Sequence, residues 1–179
     1  SMPDYTWEHS YSLQWDEENG SFTKILTDYE IIARQLLDRN FEAFSQIFHL
    51  QTLPVETEDG SYTNGIYPVK SEKFKTFADL ESFVRDTYVK KEADYLLTNY
   101  NNMGPQYMDI EGRLYTDKNK EGGVGYNKNW EDYKIDLQDI EDDSITIIIT
   151  VKEMEFVPGP VVYKDTNITV KMLMENGKW

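Results

Sequence analysis

Asp117, Asn119 and Glu121 stand at alternating positions ahead of a glycine cluster that opens at Gly122, in a segment that continues from Glu121 to Trp130 as EGGVGYNKNW. Oxygen-bearing side chains alternating around a glycine turn are what a hard cation needs. Asp117, Asn119, Glu121 and Gly122 match the first, third, fifth and sixth positions of a calcium loop, with Val124 at the apolar eighth. The twelfth position, which should supply a bidentate glutamate, is Lys128, and the flanking residues pattern as strands rather than helices. A phosphate cradle fits less well. Gly123-Val124-Gly125 begins a G-x-G, but Lys128 replaces the third glycine and no strand–helix context surrounds it. What remains is a long hairpin connection whose glycines supply positive φ or a bulge. Such a loop can still present a contact surface on a rigid scaffold.

Other chemistry finds little purchase. There are two histidines: His49 lies between Phe48 and Leu50 in a helical stretch, and His9 sits in an aromatic N-terminal segment. No Ser-His-Asp set, paired metal histidines or nucleophile elbow is visible. Asp136, Asp139, Glu141, Asp142 and Asp143 form a charge run of the kind that makes a solvated edge. A pair of carboxylates would serve glycoside hydrolysis, but nothing selects which two. The absence of cysteine excludes disulfides, thiolate metal sites and a thiol nucleophile. The expectation is a non-enzymatic protein without cofactor or metal. Trp7, Trp15, Tyr126 and Trp130 are candidates for stacking on sugars, packing a core or anchoring an interface.

The elements that must position these residues follow from periodicity. Residues 5–16 alternate as a half-buried strand, although Trp7, Tyr11 and Trp15 also share a helical face. Thr27 with Glu30 spells a capping box, stapled by Leu26 and Ile31. Tyr29, Ile32, Ala33, Leu36 and Leu37 then recur at helical spacing, with a break or bend expected at Asn40. Phe41, Phe44, Ile47 and Phe48 continue as a second apolar face. Turn signals fill residues 51–65, including Asn64-Gly65. A short strand is expected at Ile66–Val69 and a helix opening at Thr76 and Asp79, with Leu80, Phe83, Val84 and Tyr88 as its stripe. Ala93, Leu96, Leu97 and Tyr100 carry the helical pattern onward. Beyond residue 102 the period changes to two: Gln106–Ile110, Arg113–Thr116, and the alternating runs at 133–137, 145–151 and 168–174. Asn176-Gly177 reads as a hairpin turn.

Helices first and an antiparallel meander second give an α+β chain with N-terminal helices on one face of a curved antiparallel sheet. The expected organisation is one domain over residues 1–179: an N-terminal extension over 1–24, a mainly helical half over 25–102 and a sheet half over 103–179. With 39% hydrophobic residues the chain is long and apolar enough for a core. Its 18 basic against 33 acidic residues, a formal charge of −15, argue against nucleic acid and anionic lipid as partners. No apolar run is long enough to span a membrane. The opening Ser-Met-Pro reads as a start from which a leader has been removed.

The run DIEGRLYTDKNKEGGVGYNKNW (residues 109–130), after a helical half containing FADLESFVRDTY (Phe77–Tyr88), resembles the bacterial DL-endopeptidase inhibitors of the IseA type. The similarity is one of pattern, and the element order also resembles the cystatin-like and nuclear-transport-factor-like superfold, which hosts many functions. The resemblance implies an exported envelope protein, secreted or lipid-anchored, that binds and blocks the catalytic domain of NlpC-type cysteine peptidases cutting peptidoglycan stem peptides. Asp117, Glu121, Gly122, Gly123, Gly125, Tyr126 and Trp130 are then the expected partner-binding residues, with the acidic side chains steering encounter with a basic peptidase surface. The competing expectation is an envelope binding module with a small-molecule or glycan pocket, marked by an apolar cavity with a few convergent polar groups. A filled sheet concavity with a projecting acidic loop would mark the inhibitor.

Overall fold

The computed structural model describes residues 12–17, 20–25, 28–57, 64–121, 127–155 and 160–179. The chain is α+β. An N-terminal hairpin of β1 (Ser12–Asp16) and β2 (Ser21–Ile25) precedes helix α1 (Asp28–Glu42). Then come β3 (Ile66–Pro68), α2 (Phe77–Arg85), α3 (Lys90–Thr98), β4 (Tyr107–Ile110), β5 (Arg113–Asp117), β6 (Lys128–Gln138), β7 (Ser144–Glu155) and β8 (Val162–Leu173). The strand expected before residue 16 is present over its described part, but Trp15, placed on the expected inner face, is half exposed. Thr27 lies outside the described residues; Glu30, its partner in the expected capping box, is buried.

The helix α1 does not break at Asn40. It runs through to Glu42 and then widens into a π-helical turn over Ala43–Phe48, closed by the amides of His49 and Leu50 on the Phe44 carbonyl at 3.1 Å each. Asn40 is spent elsewhere: its side-chain oxygen accepts the Tyr88 hydroxyl at 2.8 Å. Ala33 and Leu37 serve one core, whereas Ala43, Ile47 and Phe48 serve another.

Two cores exist because the strands form two three-stranded antiparallel sheets rather than one, ordered β3-β5-β4 and β6-β7-β8. The first core packs the π turn, Leu53, Val69, α2, α3 and Leu114. The second packs α1 on Ile145, Ile147, Ile149 and Val151 of the central strand β7. The alternation in β7 is the period-two pattern of a strand buried on one face. Each buried isoleucine side chain contributes about 1.5–3 kcal/mol of apolar burial. The glycine-rich segment therefore joins β5 of one sheet to β6 of the other and is not a hairpin connection.

Turn chemistry follows the expected positions. Glu111 (φ 54°) and Gly112 (φ 81°) turn β4 into β5, and Asn176 (φ 54°) and Gly177 (φ 77°) turn the chain between Glu175 and Lys178. The α2 cap is reciprocal: Thr76 Oγ1 accepts from the Asp79 amide at 3.2 Å, and Asp79 Oδ2 accepts from the Thr76 amide at 2.8 Å. The backbone and hydroxyl bonds from Thr76 hold the Asp79 carboxyl below its usual range. Replacing Thr76 by alanine is expected to cost about 1 kcal/mol and to lower the melting temperature by about 2–4 °C. A circular-dichroism melt checks this, and an unchanged midpoint would mean the cap is idle.

Candidate functional site

The site expected at the glycine cluster begins where β5 ends. Asp117 Oδ1 accepts from both the backbone amide and the side-chain amide of Asn119, at 3.0 Å each, which folds the next three residues into a tight turn. Asn119 Nδ2 donates onward to the carbonyl of Asn64 at 2.8 Å. This places the Asn119 amide against Gly65, which sits at φ +87°. A β-carbon there would lie 2.2 Å from Nδ2 and 2.8 Å from Cγ. The Lys118 amide closes the same corner on the Gly65 carbonyl at 2.9 Å. Lys120 Nζ reaches the Pro105 carbonyl at 2.7 Å and Asp117 Oδ2 at 3.5 Å.

Glu121 is the last described residue before the glycines. Its carboxylate meets Lys118 Nζ at 2.9 Å and accepts from the Thr52 hydroxyl at 3.2 Å and, weakly, from the Thr52 amide at 3.4 Å. Lys118 also donates to the Thr52 hydroxyl. Partial burial pushes the Glu121 carboxyl up, but the bonds and charge of Lys118 and the Thr52 donors outweigh it, and the net direction is downward.

The far end of the segment is held as well. The Met154 amide donates to the Asn127 carbonyl at 2.7 Å, and Asn127 Nδ2 donates to Glu153 Oε1 at 3.0 Å. Lys128 Nζ shares that oxygen at 3.1 Å, and Thr166 Oγ1 donates to Glu153 Oε2 at 2.6 Å. These bonds, Thr166 first and Lys128 next, hold the Glu153 carboxyl down at about 2. The Lys128 ammonium that spoils the calcium pattern is thus a fastening of the loop. Residues 122–126 are bracketed by two carboxylates, Glu121 and Glu153, each engaged with a lysine and a threonine.

Of the residues expected to meet a partner, Asp117 and Glu121 lie together in this root, the Asp117 side chain largely covered and Glu121 exposed. Their charges are answered by Lys120 and Lys118, so they act as fasteners rather than as open steering charges. Trp130 is set apart: it is half-buried at the edge of the second core, 6.2 Å from the Phe41 ring and 6.2 Å from Tyr133. Gly122, Gly123, Gly125 and Tyr126 lie outside the described residues. Among the described residues no group of three or more His, Cys, Asp or Glu is placed to hold a metal ion. His49 is stacked on Phe44 at 4.4 Å with its Nδ1 2.8 Å from the Tyr100 hydroxyl. Sequence reasoning missed Thr52, Asn127, Glu153 and Thr166. Only Asn64-Gly65 carried a local signal, as a turn.

A second feature lies elsewhere. A cleft of about 610 Å³ opens between α1, the Asp86–Lys90 connection and the end of β8 with the C-terminal turn. Ala33, Leu37, Ile147 and Met172 give it apolar walls. Polar contacts span it: the Lys90 amide donates to Glu175 Oε2 at 2.9 Å, and Lys178 Nζ approaches Asp86 at 3.5 Å.

Two outcomes are expected of the root. Gly65→Ala should destabilise by about 1–3 kcal/mol from φ strain alone, and by more while Asn119 stands in the way. In an Asn119→Ala background the same change should cost less, so the double-mutant cycle should show coupling; strict additivity would remove the Gly65–Asn119 contact from the account. For Glu153 the folded-state value lies below its ordinary 4.5. Its stabilisation is therefore complete above about pH 4.5 and lost as pH falls toward 2. Glu153→Gln should flatten the acid side of the stability profile in that window, as read from urea midpoints between pH 5 and 2. An unchanged slope would contradict the latch.

No family model and no characterised protein matches the chain.

Proposed function

We propose that this protein is a non-enzymatic inhibitor of a cell-wall DL-endopeptidase of the NlpC type in the bacterial envelope, acting through the glycine-rich segment between Glu121 and Asn127. The observation that carries the loop's role is its two held ends. A binding segment whose ends are already fixed gives up less conformational entropy on association, which is how a pre-organised loop gains affinity. Here the span between the fastenings is only residues 122–126, and loop-closure entropy falls with span. The peptidase as partner, and the extracytoplasmic location with it, rest on the resemblance of residues 109–130 to IseA-type inhibitors.

Two further facts are in keeping with a binder rather than a catalyst. Every described carboxylate with a distinct shift (Asp79, Asp94, Glu121, Glu153 and Asp165) is shifted downward, by caps and ion pairs, toward permanent ionisation. A general acid requires the opposite shift. The charge of −15 speeds encounter with a basic surface, while affinity falls to a few desolvated anchors. Tyr126 is the aromatic best placed in the sequence for that part. The cleft favours a second reading, an envelope binding module with a small-molecule or glycan pocket.

The test is peptidoglycan digestion by a purified NlpC-type endopeptidase with this protein titrated in. Stoichiometric loss of cleavage is expected, weakened about tenfold or more by Tyr126→Ala, the scale of one interface anchor. Thr52→Ala, which loosens the Glu121 end, should weaken inhibition with the fold retained. Full cleavage at excess protein, across several such enzymes, would overturn the reading.

A further inference from the structure

We infer that β8 is a dimerisation edge: two copies of this chain join antiparallel along Val162–Leu173, about a two-fold axis at Ile168, and continue their sheets into one. The inference does not rest on the inhibitor reading, and its test needs no peptidase. The strand ends its sheet, with β7 on one side and, among the described residues, no strand on the other. It is 12 residues long, contains no proline and runs opposite β7 without a register shift. Folded chains rarely leave an edge that long and regular open; they blunt it with a bulge or a proline, or cover it. The opposite edge of the same sheet, β6, has such a device, a register shift between Asn129 and Lys134.

The open backbone sets the register. The Met174 amide donates to the Asp143 carbonyl at 2.8 Å, one step beyond the pair Leu173–Ser144. Bonded and unbonded positions alternate along an antiparallel ladder, so the even-numbered residues of β8 bond to β7. The odd-numbered ones, from Tyr163 to Leu173, direct N–H and C=O outward. Two such edges bond antiparallel only where odd meets odd. Centred on Ile168, that pairing uses the whole strand and sets Asp165 opposite Lys171 twice, once on each side of the axis. It also sets Tyr163 opposite Leu173 and Val162 opposite Met174, and Val162 and Tyr163 are exposed apolar side chains in need of cover. Centring on Asn167 or Thr169 instead leaves both charges facing neutral residues. A two-fold contact must be self-complementary, and opposite charges directly across a ladder stabilise it. Among the described residues Lys171 has no ion-pair partner, and Asp165 meets Lys152 through Oδ1 alone, with its side chain 62% exposed.

Sedimentation equilibrium from about 1 μM to 1 mM, where a weak interface populates, should show a monomer–dimer equilibrium that stops at two. Physiological ionic strength suits the measurement, because repulsion between two acidic copies is then screened beyond about 8 Å. Thr169→Pro removes an outward N–H and none that bonds β7, so it should abolish the dimer with the circular-dichroism melt retained. Lys171→Asp sets a like charge opposite Asp165 on both sides of the axis and should weaken the dimer about tenfold. Adding Asp165→Lys to it should restore the affinity. Positions 165 and 171 are about 20 Å apart along one strand, so such a rescue can come only from a second copy. Ile168→Cys puts a thiol on the axis of a chain that has no cysteine, and should cross-link to a dimer on mild oxidation, whereas Val170→Cys should not. A chain that stays monomeric across the range overturns the inference. So does association that grows past two, which would mean β8 meeting β6 in an open array. A dimer indifferent to Lys171→Asp, or one that cross-links as readily through position 170 as through 168, overturns it equally.

Discussion

The side-chain amide of Asn119 occupies the space that a β-carbon of residue 65 would need. This is the constraint on which the loop root depends. Because residue 65 is glycine, the corner before β3 can approach the turn after β5 closely enough for Asn119 to bond both the Asn64 carbonyl and Asp117. The Lys118–Lys120 turn is thereby set against β3, Lys118 is aimed at Thr52 and Glu121, and Lys120 at Pro105. Remove the approach and the geometric reason for these contacts to converge goes with it.

The root also resolves an apparent excess of charge. A run with Asp117, Lys118, Lys120, Glu121 and Lys128 looks in sequence like a solvated, mixed-charge surface. In the fold, each of the two loop ends uses one carboxylate, one lysine and one threonine to the same purpose. Glu121 with Lys118 and Thr52 fixes the first end, and Glu153 with Lys128 and Thr166 fixes the second. Exposed ion pairs contribute little singly, so the value here is positional: a carboxylate with several donors has one favourable orientation, and the backbone that carries it inherits that orientation.

Much of the fold was legible. The helix at Phe77–Arg85 opens on Thr76 because its capping pair is local, and the strand alternation at 145–151 survives because one face of β7 meets α1. The turns at Glu111-Gly112 and Asn176-Gly177 follow from residues that tolerate positive φ. The failures have long-range causes. Asn40 is a break signal only until Tyr88, 48 residues away, supplies its hydrogen bond. The split into two sheets is invisible to periodicity, since a strand's alternation says which face is buried and not which neighbour it pairs with. Trp130, for which the sequence left a core or an interface role open, stands at the edge of the second core because β6 begins at Lys128. Glu153 and Thr166 had no signal: Glu153 reaches the loop end by standing opposite Lys128 in the pairing of β6 with β7, and Thr166 reaches Glu153 through the pairing of β7 with β8.

The central claim is that a segment fixed at Glu121 and Asn127 is what a cell-wall endopeptidase meets. Amide hydrogen exchange of the protein alone and in the presence of an NlpC-type catalytic domain tests this most directly. The account predicts new protection concentrated between residues 121 and 130, with the Lys118 and Asn119 amides, bonded to the Gly65 carbonyl and Asp117 Oδ1, already slow in the unbound protein. Protection appearing instead at Asp86–Lys90 and Glu175–Trp179, or fast exchange at the root before the partner is added, would contradict it.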